Sequence, residues 1–123
     1  MPSPTIIVAQ NDPEVALGLA NDLHAHFARV AVANNAVELR TLLAHHEARV
    51  AVLDLELLDL KEIAELAGRY TGVAIVCTHR SPDERMWTNI LRAGAVELCV
   101  PRDLRAILRA SRAAVRYVRQ DAA

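Results

Sequence analysis

Residues 50 to 60 read VAVLDLELLDL. Val50, Ala51, Val52 and Leu53 are apolar at every position, and the run ends on the carboxylate of Asp54. A strand with one wet face alternates apolar and polar residues; a strand covered on both faces does not. The run therefore predicts a strand of a parallel sheet held between two helix layers. A charge at the end of such a strand is costly to bury without partners. Asp54 then has one of two uses: accepting hydrogen bonds from backbone N–H groups at the strand end, or doing chemistry.

Outward from this run, short apolar stretches alternate with helical patterns. TIIVA at 5–9 reads as a first strand. Asp12 and Pro13 then form a cap and first turn for a helix whose stripe is Val15, Leu19, Leu23 and Phe27. RVAVA at 29–33 is a second strand, and Asn35 caps a helix with Val37, Leu39, Leu42 and Leu43 directed inward. Beyond the central run, Asp59 opens a helix that ends near Gly68, and VAIVC at 73–77 is a fourth strand. Ser81-Pro82-Asp83-Glu84 has the cap-then-proline form of a helix start, with Gly94 as its stop. A fifth strand at 95–100 precedes a long helix at about 102–119.

Five such βα units with short connections predict an α/β, flavodoxin-like (βα)5 three-layer sandwich with a parallel sheet ordered 2-1-3-4-5. The 123 residues fit one domain spanning 1–123. Apolar residues make up 53% of the chain and aromatics 3%, so Ala, Val and Leu must fill the interior. A net charge of −1 supplies no bulk field toward nucleic acid or an anionic membrane. The opening residues have no basic region and too short an apolar stretch for a signal peptide, and no segment has the length of a membrane span. A cytoplasmic location is the expectation.

Cys77 and Cys99 sit in apolar runs and read as reduced core thiols. His24 and His26 are two apart, His45 and His46 adjacent, and His79 alone, so no helical metal pair exists at i, i+4. The glycines at 18, 68, 72 and 94 are too scattered for a phosphate-binding loop, and no catalytic triad stands out. An enzyme is not expected.

Ligands in this architecture lie outside the carboxyl ends of the strands. Those ends carry Gln10, Asn11 and Asp12 after strand 1, Asp54 after strand 3, Thr78 after strand 4, and Pro101 and Arg102 after strand 5. With strands 1 and 3 adjacent, Asp12 and Asp54 face one crevice.

The stretches IIVAQNDPEVALGLANDL, VAVLDL, IVCT and ILRAGAVELCVP, in that order, resemble the receiver domain of two-component response regulators across the whole chain. The resemblance implies that Asp54 matches the aspartate that accepts a phosphoryl group from a histidine kinase, and Thr78 the hydroxyl that contacts it. Gln10 and Asn11 fall where the family has an acidic pair that helps hold Mg²⁺. The family's lysine falls on Val100 or Pro101, and Arg102 is the nearest cation. The switch aromatic of the fifth strand falls on Leu98. The segment after Asp54 is shortened, which implies a short or displaced third helix.

These departures have consequences. Two amides in place of carboxylates remove two formal charges from a divalent-cation site. Loss of the lysine removes a charge-assisted contact worth about 1.5–3 kcal/mol. The implied function is an atypical receiver that signals by protein contact without a cofactor, with a phospho-acceptor-like Asp54 in a degenerate pocket. The alternative is an ordinary receiver phosphorylated on Asp54, with Mg²⁺ held by Asp12 and Asp54. A second alternative is a small-ligand-binding flavodoxin-like domain.

The long last helix bears Arg105, Arg109, Arg112, Arg116 and Arg119 at helical spacing. Asp83, Glu84 and Glu97 offer opposite charge, and Met86 and Trp87 an apolar edge. A homodimer through the fourth helix, fifth strand and fifth helix follows, each patch being used twice. The resemblance further implies a histidine kinase as partner, and leaves open either a lone receiver or one followed by an output domain absent from this chain. Nucleic acid is not expected to bind this domain, because no aromatic platform lies among the arginines.

Overall fold

The computed structural model describes the backbone of residues 5–122 and the side chains of residues 5–113. Five βα units follow one another: β1 (Thr5–Ala9), α1 (Pro13–Leu23), β2 (Arg29–Ala33), α2 (Ala36–His45), β3 (Ala48–Asp54), α3 (Leu60–Arg69), β4 (Ala74–Thr78), α4 (Glu84–Ala93), β5 (Glu97–Cys99) and α5 (Leu104–Ala122). All paired strands are parallel, in the order β2-β1-β3-β4-β5. This is the expected flavodoxin-like order.

The unbroken apolar run of β3 has the expected cause. Ala51 and Leu53 join one core with Ile7, Ile75 and residues of α2, α3 and α4, including Leu39, Ile63 and Ile90. Val50 and Val52 join the other, with Val8, Val76, Leu19 of α1 and Ile107 of α5. Alternate residues of one strand thus feed opposite layers, and each layer needs them apolar.

Local signals set the helix starts. The Asp12 side chain accepts from Glu14 N–H ahead of Pro13, and Asn35 accepts from Glu38 N–H. Asp59 and Glu62 form a reciprocal capping box at α3. Gly94 ends α4 in the left-handed region at φ 110°.

Several expectations are corrected. Asp83, not Ser81, caps α4, accepting from Met86 N–H at 2.8 Å, so Pro82 lies ahead of the cap. Val37 is 74% exposed, while Leu39 and Leu43 alone of α2 are buried. The first helix stops at Leu23, and Phe27 is buried from the following turn. The third helix is not short: α3 has 10 residues, the same as α2 and α4. Ahead of it lies a tight turn in which Leu57 and Leu58 N–H both donate to the Asp54 carbonyl, and Leu58 is buried in the core.

Among the described residues, no helix is long and apolar enough to cross a membrane. Both cysteines are free and buried. The β4–β5 register sets Cys77 opposite Leu98 and Thr78 opposite Cys99, which puts the two thiols on opposite faces of the sheet. Burial first, and then Cys99, push the Cys77 thiol up to about 12. Burial first, and then Asp103 and Glu97, do the same for Cys99, also to about 12. The thiolate is the reactive form. Ellman's reagent at mildly alkaline pH should therefore leave both thiols unmodified in the native protein and titrate both in urea.

Candidate functional site

Strand order assembles the crevice. β1 lies beside β3, which brings residues 10–12 next to Asp54, and the β3–β4 register pairs Asp54 with Thr78. The result is a cavity of about 200 Å³ lined by Gln10, Asn11, Asp12, Val15, Asp54, Glu56, Arg80 and Pro101. Of the residues singled out in the sequence, Gln10, Asn11, Asp12, Asp54 and Pro101 line this cavity, and Thr78 stands just beneath, fully buried.

Asp54 is 6% exposed, and each of its carboxylate oxygens accepts a backbone N–H. Oδ2 accepts from Asn11 N–H at 2.9 Å, and Oδ1 accepts from Glu56 N–H at 2.9 Å. One side chain thereby ties the end of β1 to the turn after β3. Gln10 is 2% exposed and faces Thr78: its Nε2 donates to Thr78 Oγ1 at 3.0 Å, and the hydroxyl can donate back to Oε1 at 3.4 Å. The amide and the hydroxyl satisfy each other across the middle of the sheet. Among the described residues, no buried side-chain nitrogen or oxygen lacks a partner.

Asp12 is exposed, with Oδ1 committed to the cap of α1 at 2.9 Å from Glu14 N. Asp12, Asp54 and Glu56 are the carboxylates around the crevice. Among the described residues, however, no three His, Cys, Asp or Glu side chains are grouped so as to hold a metal ion.

The cation at this crevice is Arg80, which sequence reasoning missed. Its Nε donates to Glu56 Oε1 at 2.6 Å, and it hangs over the mouth with its side chain 79% exposed. The Glu56 carboxylate, first by that hydrogen bond and then by its charge, holds the guanidinium above its usual range, with smaller contributions from Asp54 and Asp12. A signal was present: Asp54 and Thr78 are register partners, and Glu56 and Arg80 each follow them by two residues. Arg102, the cation expected nearby, turns away to α1. Its Nη2 lies 3.3 Å from Asp22 Oδ2, and its guanidinium covers Gly18.

On the α4–β5 flank, Trp87 is 42% exposed, while Met86 packs partly against the core. Leu91 and Val96 are exposed alongside. Leu98 is buried and borders a shallow groove with Trp87, Asp83 and Glu84. Arg105, Arg109 and Arg112 of α5 do not act as one row facing this flank. Arg109 reaches it, beside Val96 and Glu97, whereas Arg105 and Arg112 border a groove shared with His26 on the α1 flank, where Arg109 also reaches. The side chains of Arg116 and Arg119 lie outside the described residues.

No family model and no curated protein sequence matches the chain. Solved structures do. A response regulator from Thermotoga maritima superposes with a TM-score of 0.75 at 22% identity, over 90% of this chain and 94% of that one. A CheY-like response regulator receiver domain protein from Methanospirillum hungatei gives 0.80 at 17% identity, over 94% of this chain and 98% of that one. A response regulator protein from Burkholderia pseudomallei, solved with a phosphorylated aspartic acid, calcium ion and citrate, gives 0.79 at 22% identity, over 98% of this chain and 73% of that one. With five parallel strands in the order 2-1-3-4-5, this chain has the fold of response regulator receiver domains.

Proposed function

We propose that this chain is a receiver-type signalling domain that works through protein contacts, and that its Asp54 crevice has become a structural joint. The observation that carries the reading is the hydrogen bonding of Asp54, whose two carboxylate oxygens each accept a backbone N–H, from Asn11 and from Glu56. The Gln10–Thr78 pair supports it further. A side chain that would have to turn toward a phosphoryl group is tied to a buried amide, and freeing either partner leaves the other unsatisfied at about 1–3 kcal/mol.

Mg²⁺ fits this donor set poorly. The ion asks for several hard oxygens in near-octahedral array. Here Gln10 is turned to Thr78, Asp12 caps a helix and Asp54 accepts twice from the backbone. If an ion did bind, Asp12 and Asp54 would be its anionic ligands. The reading assigns the crevice no catalytic turnover. At about 200 Å³ the crevice is also smaller than the ~300 Å³ from which small-molecule sites usually start, which weighs against a ligand-binding domain.

The contact face is α4–β5–α5. Trp87, Leu91 and Val96 expose apolar surface there, with Asp83 and Glu84 beside Trp87 and with Glu97 and Arg109 together beside Val96. A two-fold pair would set the acids of each copy against Arg109 of the other, around an apolar centre.

A second reading has its own support. Arg80 overhangs the crevice and could neutralise a phosphoryl group on Asp54 in place of the missing lysine. The Burkholderia neighbour carries a phosphorylated aspartic acid in the same fold. A histidine kinase would then be a partner, and an output domain the recipient.

One experiment separates the two. The protein is incubated with Mg²⁺ and acetyl phosphate, then measured by intact mass and by light scattering. The first reading expects an unchanged mass and a dimer in both conditions, converted to monomer by Leu91→Glu. A phosphoryl group on Asp54 in most molecules would establish the second reading instead, and a wild-type protein that stays monomeric would remove the pairing face.

A further inference from the structure

The solvent face of α5 divides two grooves, and only one of them belongs to the pairing face. The other, about 740 Å³, runs between the residues after α1 and α5. Half-buried Leu104 and Leu108, four apart, supply its apolar lining, and His26, Arg105, Arg109 and Arg112 its polar rim. Among the described residues, no carboxylate lines it. Among the described residues, none of these three arginines is in an ion pair; the pairs involve Arg40, Arg80 and Arg102.

The spacing states what would fit. Arg105 and Arg112 are seven residues apart on one helix face, a rise of about 10 Å with Arg109 between them. A helix laid along the groove presents side chains every three or four residues over the same length. Carboxylates on its flanks would meet the guanidiniums, which suit bidentate contacts with carboxylates. One or two leucines from it would reach Leu104 and Leu108. Other polyanions fit less well. Among the described residues the one ring in the lining is the His26 imidazole at the rim, which gives no run of platforms for successive bases. A membrane surface needs apolar side chains that project, yet none of the exposed large apolar residues lies in this lining.

We propose that the α1–α5 groove docks an acidic amphipathic helix of a protein partner. The site is independent of the Asp54 crevice and shares Arg109 with the α4–β5 surface, so Arg105 and Arg112 are the residues that test it separately from the signalling reading.

The test uses the whole chain and a fluorescein-labelled synthetic peptide of about 18 residues, long enough to form a helix when bound. The peptide carries leucines at i, i+4 spacing and glutamates on both flanks. A scrambled peptide of identical composition, a single-stranded oligothymidylate and phosphatidylglycerol vesicles are compared. Anisotropy should report binding of the patterned peptide that weakens with added salt, at least about tenfold tighter than the scrambled one. Arg105→Ala with Arg112→Ala should weaken it by at least about tenfold, while Trp87→Ala leaves it unchanged. The proposal is overturned if the wild type fails to bind, if the scrambled peptide or the double variant binds equally, or if oligothymidylate or vesicles bind more tightly. Loss of self-association in the arginine variant would overturn it too, because the occupant would then be a second copy.

Discussion

Gly94→Ala should lower the stability of the fold by about 2–5 kcal/mol, seen as a lower urea midpoint at unchanged m-value. Two costs add. Gly94 has φ 110°, and an L-residue in the left-handed region pays about 1–2 kcal/mol. A Cβ there would also lie 2.7 Å from the Cβ of Ala67, so α3 and α4 must part, and overpacking of this kind costs about 1–3 kcal/mol. The costs can be separated. Adding Ala67→Gly should return the steric part and leave the backbone part, after allowing for the helix penalty of the new glycine. Gly68→Ala is the control one residue away: it meets nothing within 4 Å, sits in α3 and should stabilise by about 0.5–1 kcal/mol. An unchanged midpoint for Gly94→Ala would refute both costs, and a loss of only about 1–2 kcal/mol would mean that the α3–α4 approach is not close.

The second large effect concerns Asp54. As a structural joint it should be hard to remove: Asp54→Ala leaves the N–H groups of Asn11 and Glu56 without their acceptor, at a cost of about 2–4 kcal/mol. Asp54→Asn keeps one acceptor but turns an amide N–H₂ toward the other donor, and should cost roughly half as much, about 1–2 kcal/mol. Urea midpoints of the three proteins give the ranking. The opposite ranking has a clear meaning. If Asp54 is instead held under repulsion from Asp12 and Glu56, deleting its charge should raise stability, and a more stable Asp54→Ala would refute the joint.

Both predictions use features of different legibility. The left-handed stop at Gly94 was readable from the chain, because a glycine closing an apolar helical pattern has a local reason to be there. The collision with Ala67 was not, since it depends on how near α3 comes to α4. Asp54 was readable as a charge needing partners, with capping as one of its two uses. Which backbone groups it binds depended on β1 arriving beside β3. The departure of Gln10 and Asn11 from an acidic pair was likewise plain in the sequence, but the use of the Gln10 amide was not. Its partner Thr78 is 68 residues away.

Long side chains separate the two levels most sharply. Arg102 stands next to the crevice in sequence and leaves it for Asp22; Arg80 was overlooked and overhangs it. The arginines of α5 repeat at helical spacing in the sequence, yet the neighbouring elements divide Arg105, Arg109 and Arg112 between two grooves. What the chain by itself determined was the alternation of elements, the two-sided burial of β3, the sheet order and the caps at Asp12, Asn35, Asp59 and Gly94. The sheet order follows from the handedness of five short βα crossovers, and the rest from periodicity or from hydrogen bonds within a few residues. The tertiary structure alone decided the partners of Asp54, Gln10, Arg80 and Arg102. A flexible or buried polar side chain takes its direction from whichever complementary group packing brings within about 3 Å, and that group can come from anywhere in the chain.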